Sequence, residues 1–326
     1  MSNNAKKIIE YIKKKGQVTA NELVDYLGIS RQALFKHHLS KMISEDILVK
    51  VGRPPKVYYS IAVVKKIKTE ELNIDSLAKK RIERDFLIIT PSGERKEGLN
   101  GFLFWCDRNN LPVEKTALEF LKTVLKYDAY KKEGLVNGLS KLKNTFNKVN
   151  LNELYYLDFY SIERFGKTKL GQLLLYAKQS QNKFLMKEVI MHVKPSIDKI
   201  IKKFKIDGIG FIPPTVKRET QLMKVLEKGL HEDIRKIKIT KIKTTVAVPQ
   251  KTLSKLDDRI ENAKNTIIVE GDSIFKNILL IDDAVGSGAT LNETAKKIKD
   301  KKICKGKIIG VALTGSFKGF DVISEV

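Results

Sequence analysis

The chain has 326 residues, 62 Lys+Arg against 38 Asp+Glu, a formal net charge of +24 and 42% hydrophobic residues. Its apolar content excludes wholesale disorder, its length suits two or three domains, and no apolar run approaches the ~18 residues that span a bilayer. Two cysteines, Cys106 and Cys304, exclude a disulfide framework and a four-thiolate zinc site, so a cytoplasmic protein with polyanionic partners is expected.

Positive charge is concentrated at the start. Residues 1–68 hold 14 Lys/Arg and 5 Asp/Glu, about twice the density of the remainder, although lysine-rich composition accounts for part of the overall excess. From about Asn4 to Lys15, Ile8, Ile9 and Ile12 share one helix face, and Gly16 stops it. Thr19 reads as the cap of a second helix, with Glu22 as its capping-box partner and Leu23, Tyr26 and Leu27 facing inward. After a turn at Gly28, Ser30 caps a third helix carrying Leu34, Leu39, Met42 and Ile43. Two strand-like runs follow, Ile47–Val51 and Val57–Ile61. The tip between them, Gly52-Arg53-Pro54-Pro55-Lys56, is expected to make no regular pairs, because proline lacks an N–H.

Three helices and a two-stranded hairpin with a Gly-Arg-Pro tip resemble a winged helix-turn-helix domain, over residues 1–62. That resemblance implies double-stranded DNA as partner, with the third helix in the major groove. Ser30, Arg31, Gln32, Lys36 and His37 would then face base edges, where Arg and Gln suit guanine and adenine. Arg53 and Lys56 would meet phosphates or the narrow minor groove. The other use of such a fold is protein contact. His37 and His38 diverge by ~100° on a regular helix, and His192 and His231 have no ligand spacing around them. No metal site made by side chains alone is expected.

Residues 63–150 read as a linker and a small, mainly helical middle region. Residues 63–84 form a charged, helix-prone connector; Phe86-Leu87-Ile88-Ile89 is strand-like and breaks at Pro91-Ser92-Gly93. Gly98–Asn109 holds the single Trp, and Pro112–Lys126 repeats apolar residues at helical spacing. No chemistry is legible between residues 85 and 150.

The informative segment is Asn277-Ile278-Leu279-Leu280-Ile281-Asp282-Asp283-Ala284-Val285-Gly286-Ser287-Gly288-Ala289-Thr290. Four apolar residues read as a buried parallel strand, and two carboxylates sit at its C-terminal end, where open α/β sheets bind ligands. The small-residue loop then opens a helix, Leu291–Asp300. Convergent N–H groups and a helix N-terminus make a phosphate cradle, and the carboxylates suit the hydroxyls of a neighbouring sugar. No Lys stands where a Walker-type loop needs one, and the dinucleotide Gly-x-Gly-x-x-Gly pattern is absent.

Strand, paired acids and a small loop ending in Thr resemble the phosphoribosyl pyrophosphate (PRPP) signature of type I phosphoribosyltransferases. Upstream, Ile209–Arg218 reads as a strand and a Pro213-Pro214 loop, followed by a helix over Glu219–Gly229. Pro249–Asn262 carries a Gln…Leu…Arg…Asn pattern before a strand at Thr266–Val269, and Tyr160–Lys178 is a lysine-bearing approach segment. This order is similar to the ComF (competence protein F) branch, over residues 151–326. The cysteine zinc module with which ComF proteins often begin is replaced here, and the loop centre is Gly286-Ser287-Gly288 rather than Thr-Thr-Gly. The resemblance implies an α/β fold with a parallel sheet and flanking helices. It places ribose hydroxyls on Asp282 and Asp283 and the 5-phosphate on Ala284–Thr290. Pyrophosphate would meet Thr215, Lys217 and Arg218, with Lys251 and Arg259 on a mobile loop and Mg²⁺ between ligand oxygens. By analogy with regulators that join such domains, the expected protein is a homodimeric DNA-binding transcription regulator with a PRPP-type effector. A DNA-uptake or repair accessory protein and an active Mg²⁺-dependent phosphoribosyltransferase are the alternatives; no catalytic residue is identified.

Overall fold

The computed structural model describes residues 2–45, 47–53, 56–62, 72–216, 218–230, 233–242, 246 and 248–316, with the backbone alone at Gly52, Arg53, Lys56 and Lys251. The chain divides into two compact units, Met1–Ile74 with Ile88–Glu114, and Asp75–Leu87 with Lys115–Val326.

The first unit begins with α1 (Asn3–Lys15), whose first turn is capped by Ser2. β1 (Val18–Thr19) leads into α2 (Ala20–Leu27), which ends at Gly28 in the left-handed region that glycine tolerates. Then come α3 (Arg31–Leu34), a π-helical turn (Phe35–Leu39) and α4 (Ser40–Ser44), which run on as one continuous helical stretch where a third helix was expected. β2 (Leu48–Arg53) and β3 (Lys56–Ile61) form an antiparallel hairpin, and β1 adds to β3 through Val18↔Tyr59. Ile8, Ile12, Leu23, Leu34, Leu39 and Tyr59 are buried in one core.

Two expectations need correction here. Tyr26 does not face inward: it is 47% exposed and stacks on Tyr11 at 4.1 Å. The hairpin tip does pair, through Gly52↔Val57 and Arg53↔Lys56. Missing proline N–H groups affect only the positions that prolines occupy, and the ladder needs neither Pro54 nor Pro55, which lie outside the described residues.

The capping box at α2 is formed in full. Glu22 N–H donates to Thr19 Oγ1 at 3.3 Å, and Thr19 N–H donates to the Glu22 carboxylate at 2.7 Å. Thr19→Ala is expected to destabilise the first unit by about 1 kcal/mol, read as a fall in thermal midpoint with no change in helix content at 10 °C.

Asp75 caps α5 (Ser76–Asp85). β4 (Leu87–Ile89) pairs with β5 (Arg95–Glu97), followed by α6 (Gly98–Arg108) and α7 (Val113–Asp128). The stretch expected to be mainly helical then continues as β6 (Lys131–Lys132) and β7 (Leu135–Asn137), turning at Glu133 and Gly134 with φ of 54° and 81°. These two strands extend the main sheet of the second unit.

That sheet has eight strands. After α8 (Leu139–Thr145) come β8 (Glu153–Phe159), α9 (Lys169–Ser180), α10 (Lys183–Phe204), β9 (Gly208–Phe211) and α11 (Leu222–Gly229). β10 (Arg235–Lys241), α12 (Leu256–Thr266), β11 (Ile267–Glu270), β12 (Ile278–Val285), α13 (Ala289–Asp300) and β13 (Ile308–Gly315) complete it. The order is β11-β10-β9-β12-β13-β8-β7-β6. The five strands from β10 to β8 run parallel, and the flanking strands run antiparallel. The fold is therefore mixed α/β around a large mixed sheet. β9 and β13 are buried along their whole length, which explains their largely apolar sequences. From β9 the chain moves outward to β10 and β11, then crosses back to β12 and β13. The carboxyl ends of β9 and β12 thus flank the point where the connections diverge, and a crevice opens there.

Candidate functional site

A cleft of about 220 Å³ occupies that crevice, lined by the segments after β9 and β12, the end of β10 and residues of α9 and α12. β12 is hydrogen-bonded on both flanks, with Ile281 opposite Phe211 and Asp282 opposite Ala312. Its last residues carry Asp282 and Asp283 to the cleft floor, both half-buried. Asp283 N–H donates to Asp282 Oδ1 at 2.8 Å. Burial, and then the neighbouring Asp283 carboxylate, push the Asp282 carboxyl up to about 8. Asp283 is held by Lys178 at 2.7 Å, with both side chains less than one-fifth exposed.

The loop Ala284-Val285-Gly286-Ser287-Gly288 then turns into α13. Gly288 sits at the helix N-cap with φ 82° and offers no side-chain acceptor. Ser287 Oγ accepts from Ala289 N–H at 3.3 Å. Thr290 and Leu291 line the cleft at the first turn of α13, where N–H groups have no partner within the helix. With the partial positive charge of the helix end, this is an anion cradle. A Cβ on Gly288 would fall 2.5 Å from Leu142 Cδ1 and force a left-handed backbone on a residue that disfavours it. Gly288→Ala is expected to cost about 1–3 kcal/mol of stability, measured by chemical denaturation.

Arg259 does not lie on a mobile loop. It is in α12 and only 4% exposed, its Nε donating to Leu253 carbonyl oxygen at 2.8 Å. Its Nη1 lies 3.5 Å from where a Gly286 Cβ would stand, so the guanidinium is aimed at the loop. Among the described residues no carboxylate pairs with it, and burial lowers its pKa. The Gln…Arg…Asn spacing also has a physical role. Gln250 Nε2 donates to Arg259 carbonyl oxygen at 2.9 Å and to Asn262 Oδ1 at 3.2 Å, tying the loop before α12 to the helix.

After β9, Thr215 Oγ1 accepts from Lys241 Nζ at 2.6 Å. Burial lowers the Lys241 pKa against the opposing pull of Asp282. Arg218 lines the cleft, its carbonyl oxygen accepting from Gln221 Nε2 at 3.1 Å. The Lys217 residue and the Lys251 side chain lie outside the described residues. Of the residues expected on this site, Asp282 to Thr290, Thr215, Arg218 and Arg259 are therefore brought to one cleft. Lys241 was not foreseen, and Lys178 was not linked to Asp283. Nothing in the local sequence of either distinguishes it from the surrounding lysines.

In the first unit, Ser30, Arg31, Gln32, Lys36 and His37 are all exposed along α3 and the π-helical turn. Ser30 Oγ accepts from Ala33 N–H at 3.2 Å, and Arg31 Nη1 donates to Asn21 Oδ1 at 3.3 Å. The Arg53 and Lys56 side chains lie outside the described residues.

No group of three or more His, Cys, Asp or Glu among the described residues is placed to hold a metal ion. Were a polyphosphate bound in the cleft, Asp282 and Asp283 would be the hard oxygen donors available to an accompanying Mg²⁺. Among the described residues, no helix is long and apolar enough to cross a membrane. The sequence matches no known family and no curated protein. Among solved structures, a hypoxanthine-guanine phosphoribosyltransferase from Bacillus anthracis aligns over 40% of this chain and 69% of its own, with 16% identity and a TM-score of 0.27. That is a distant, partial likeness to a phosphoribosyltransferase, and it transfers no function.

Proposed function

We propose that the cleft of the second unit binds PRPP or a related ribose 5-phosphate, and that the first unit is a winged helix-turn-helix that binds double-stranded DNA. The chain would then be a DNA-binding regulator with a phosphoribosyl effector. The observation that carries the ligand reading is Arg259. A buried guanidinium without a carboxylate costs several kcal/mol, and such a charge is kept where an incoming anion completes the pair. It faces a helix end with no side-chain cap at its N-cap residue, which asks for the same anion. Beside it, the carboxyl groups of Asp282 and Asp283 can accept hydrogen bonds from hydroxyl groups, so they suit a diol. A phosphate next to a diol is a phosphorylated pentose. Lys241, Thr215 and Arg218 line the same cleft and would suit further phosphates.

The exposed Arg31, Gln32, Lys36 and His37 support the DNA reading, since they offer donors and positive charge on one accessible helical stretch. Reading paired half-sites would call for a homodimer. The experiment is a fluorescence-anisotropy titration of the full chain on DNA chosen by random-sequence selection, with and without PRPP and Mg²⁺. A consensus site whose affinity changes at saturating PRPP is expected. Lys36→Ala should reduce the salt slope of binding by about one. An unchanged affinity would sink the effector role, and absence of any consensus would favour a DNA-uptake or repair accessory. Steady pyrophosphate release with a nucleobase acceptor would make the protein an enzyme instead.

A further inference from the structure

α10 carries two apolar stripes where the fold uses one. Met186, Val189, Val193, Ile197 and Ile200 form the inward stripe and are buried. Phe184 and Met191 lie on the opposite side of the helix, ~180° from that stripe, and are 81% and 69% exposed. Exposed Pro195 continues the line one turn beyond Met191. This exposure is not that of a frayed helix end. Asn182 Oδ1 accepts from Phe184 N–H at 2.9 Å and from Leu185 N–H at 3.3 Å, which fixes the first turn. The solvent face of a helix is ordinarily polar. Single exposed apolar residues need no explanation, whereas apolar residues aligned along one face mark an interaction surface.

The rim of this face is basic. Lys187 lies about 60° to one side of the exposed stripe and Lys199 about 60° to the other. Both are exposed, and among the described residues neither pairs with a carboxylate. Lys194, on the same side as Lys187, pairs with Asp198 at 3.1 Å. Along the helix, six lysines stand against Glu188 and Asp198.

We propose that this face of α10 is the docking site for an acidic amphipathic helix of another protein, with Phe184 and Met191 as apolar anchors and Lys187 and Lys199 as the charged rim. Anchors seven residues apart lie about 10 Å apart along the axis, an i, i+7 spacing at which two helices meet. A phenyl ring and a flexible thioether supply adaptable apolar contact, and the rim selects the sign of the partner. A second copy of this chain does not fit. A two-fold contact would set the basic face against itself, in a chain of net charge +24. An anionic membrane fits less well than a protein, because Glu188 and Asp198 lie within about 50° of the stripe and would face the headgroups. α10 lends no described residue to the cleft at the end of β12, so this surface stands whether or not that cleft binds a phosphoribosyl ligand.

The test titrates the full chain into a fluorescein-labelled, designed helical peptide with Leu on one face and Glu or Asp on its flanks, and follows anisotropy at 0.15 M salt. Controls are a scrambled peptide of the same composition, a peptide with Lys at every acidic position, and vesicles of phosphatidylglycerol and phosphatidylcholine. The acidic amphipathic peptide should bind with Kd below about 100 µM, about tenfold or more tighter than its scramble, and the basic peptide should not bind. Combining Phe184→Ser with Met191→Ser removes apolar area that the fold leaves exposed. That variant should keep its melting midpoint and lose about tenfold or more in peptide affinity. In wild-type protein labelled at the methionine methyls, the peptide should shift Met191 and leave Met42 of the first unit unmoved. The proposal is overturned if the acidic peptide binds no tighter than its scramble, if the double variant binds it normally, or if the shift falls at Met42 instead. Vesicles that capture the wild type but not the double variant would overturn it too, by making the partner a lipid surface.

Discussion

Arg259→Met is expected to weaken PRPP binding by about 30- to 1,000-fold, equivalent to about 2–4 kcal/mol, while shifting the melting midpoint by only a few degrees. The two effects differ because the residue has two relations to its surroundings. Toward the ligand, its guanidinium supplies charge-assisted hydrogen bonds in a site sheltered from water, and these are the strong ones. Toward the fold, it makes one bond from Nε to Leu253, worth about 1 kcal/mol, and it bears the desolvation of a charge that no described carboxylate offsets. Methionine fills similar volume without that penalty, so loss and gain nearly cancel. Lys264→Met is the control: the same helix and the same charge change, at an exposed position. It should bind PRPP as the wild type does. Equal affinities for Arg259→Met and the wild type, in calorimetric titration at 0.15 M salt, would remove the main support for an anion site.

Asp282→Asn should stabilise the protein and, on the proposed reading of the cleft, abolish PRPP binding. The carboxyl of Asp282 is pushed up to about 8 in the fold, by burial and by the charge of Asp283, from a usual value of 3.8. The folded state therefore holds a proton that the unfolded chain releases. Between pH 4 and 8 the native state binds more protons than the unfolded state, so this residue lowers stability steadily as pH rises. Asparagine keeps the shape and cannot ionise. Its advantage is expected to be absent at pH 4, to grow through pH 6 and 7, and to level off above pH 8. Every tenfold difference in proton affinity between the folded and unfolded chain is worth about 1.4 kcal/mol. Melting midpoints of the pair from pH 4 to 9 give the test, and parallel curves would contradict it. Loss of PRPP affinity in the same variant separates a strained functional group from a structural one.

The cleft at the end of β12 was half legible in the sequence. Ile278 to Thr290 announce themselves because strand, acids and loop are contiguous, and the chemistry of each is local. Thr19, Glu22, Gly28 and Ser30 were equally readable, since capping depends on residues within one turn. Lys178 and Lys241 were not, because they reach the site from the ends of α9 and β10 and look like any of the chain's 62 basic residues. Position in the fold makes them special, and position is a tertiary property. Arg259 illustrates a subtler failure. Its pattern marked it as a basic residue near a ligand, yet only packing shows that it is buried in a helix and, among the described residues, paired with no carboxylate. The π-helical turn at Phe35–Leu39 shifts the helical phase by one residue within an otherwise regular apolar pattern, and periodicity cannot resolve that. The strands β6 and β7 are too short for alternation to register against their neighbours.

The placement of β12 between β9 and β13 has a consequence for amide hydrogen exchange. Amides from Ile278 to Ile281 belong to a strand paired on both flanks and buried on both faces, so they should open only when the second unit unfolds as a whole. The adjoining loop, only a few residues further on, is held by far fewer bonds. A ligand seated there would slow exchange from Gly286 to Leu291 by local ordering. It would slow exchange at Ile278 to Ile281 only through the global free energy it adds. One protein thus carries, within fourteen residues of chain, both a local gauge of occupancy and a built-in reference for total stability.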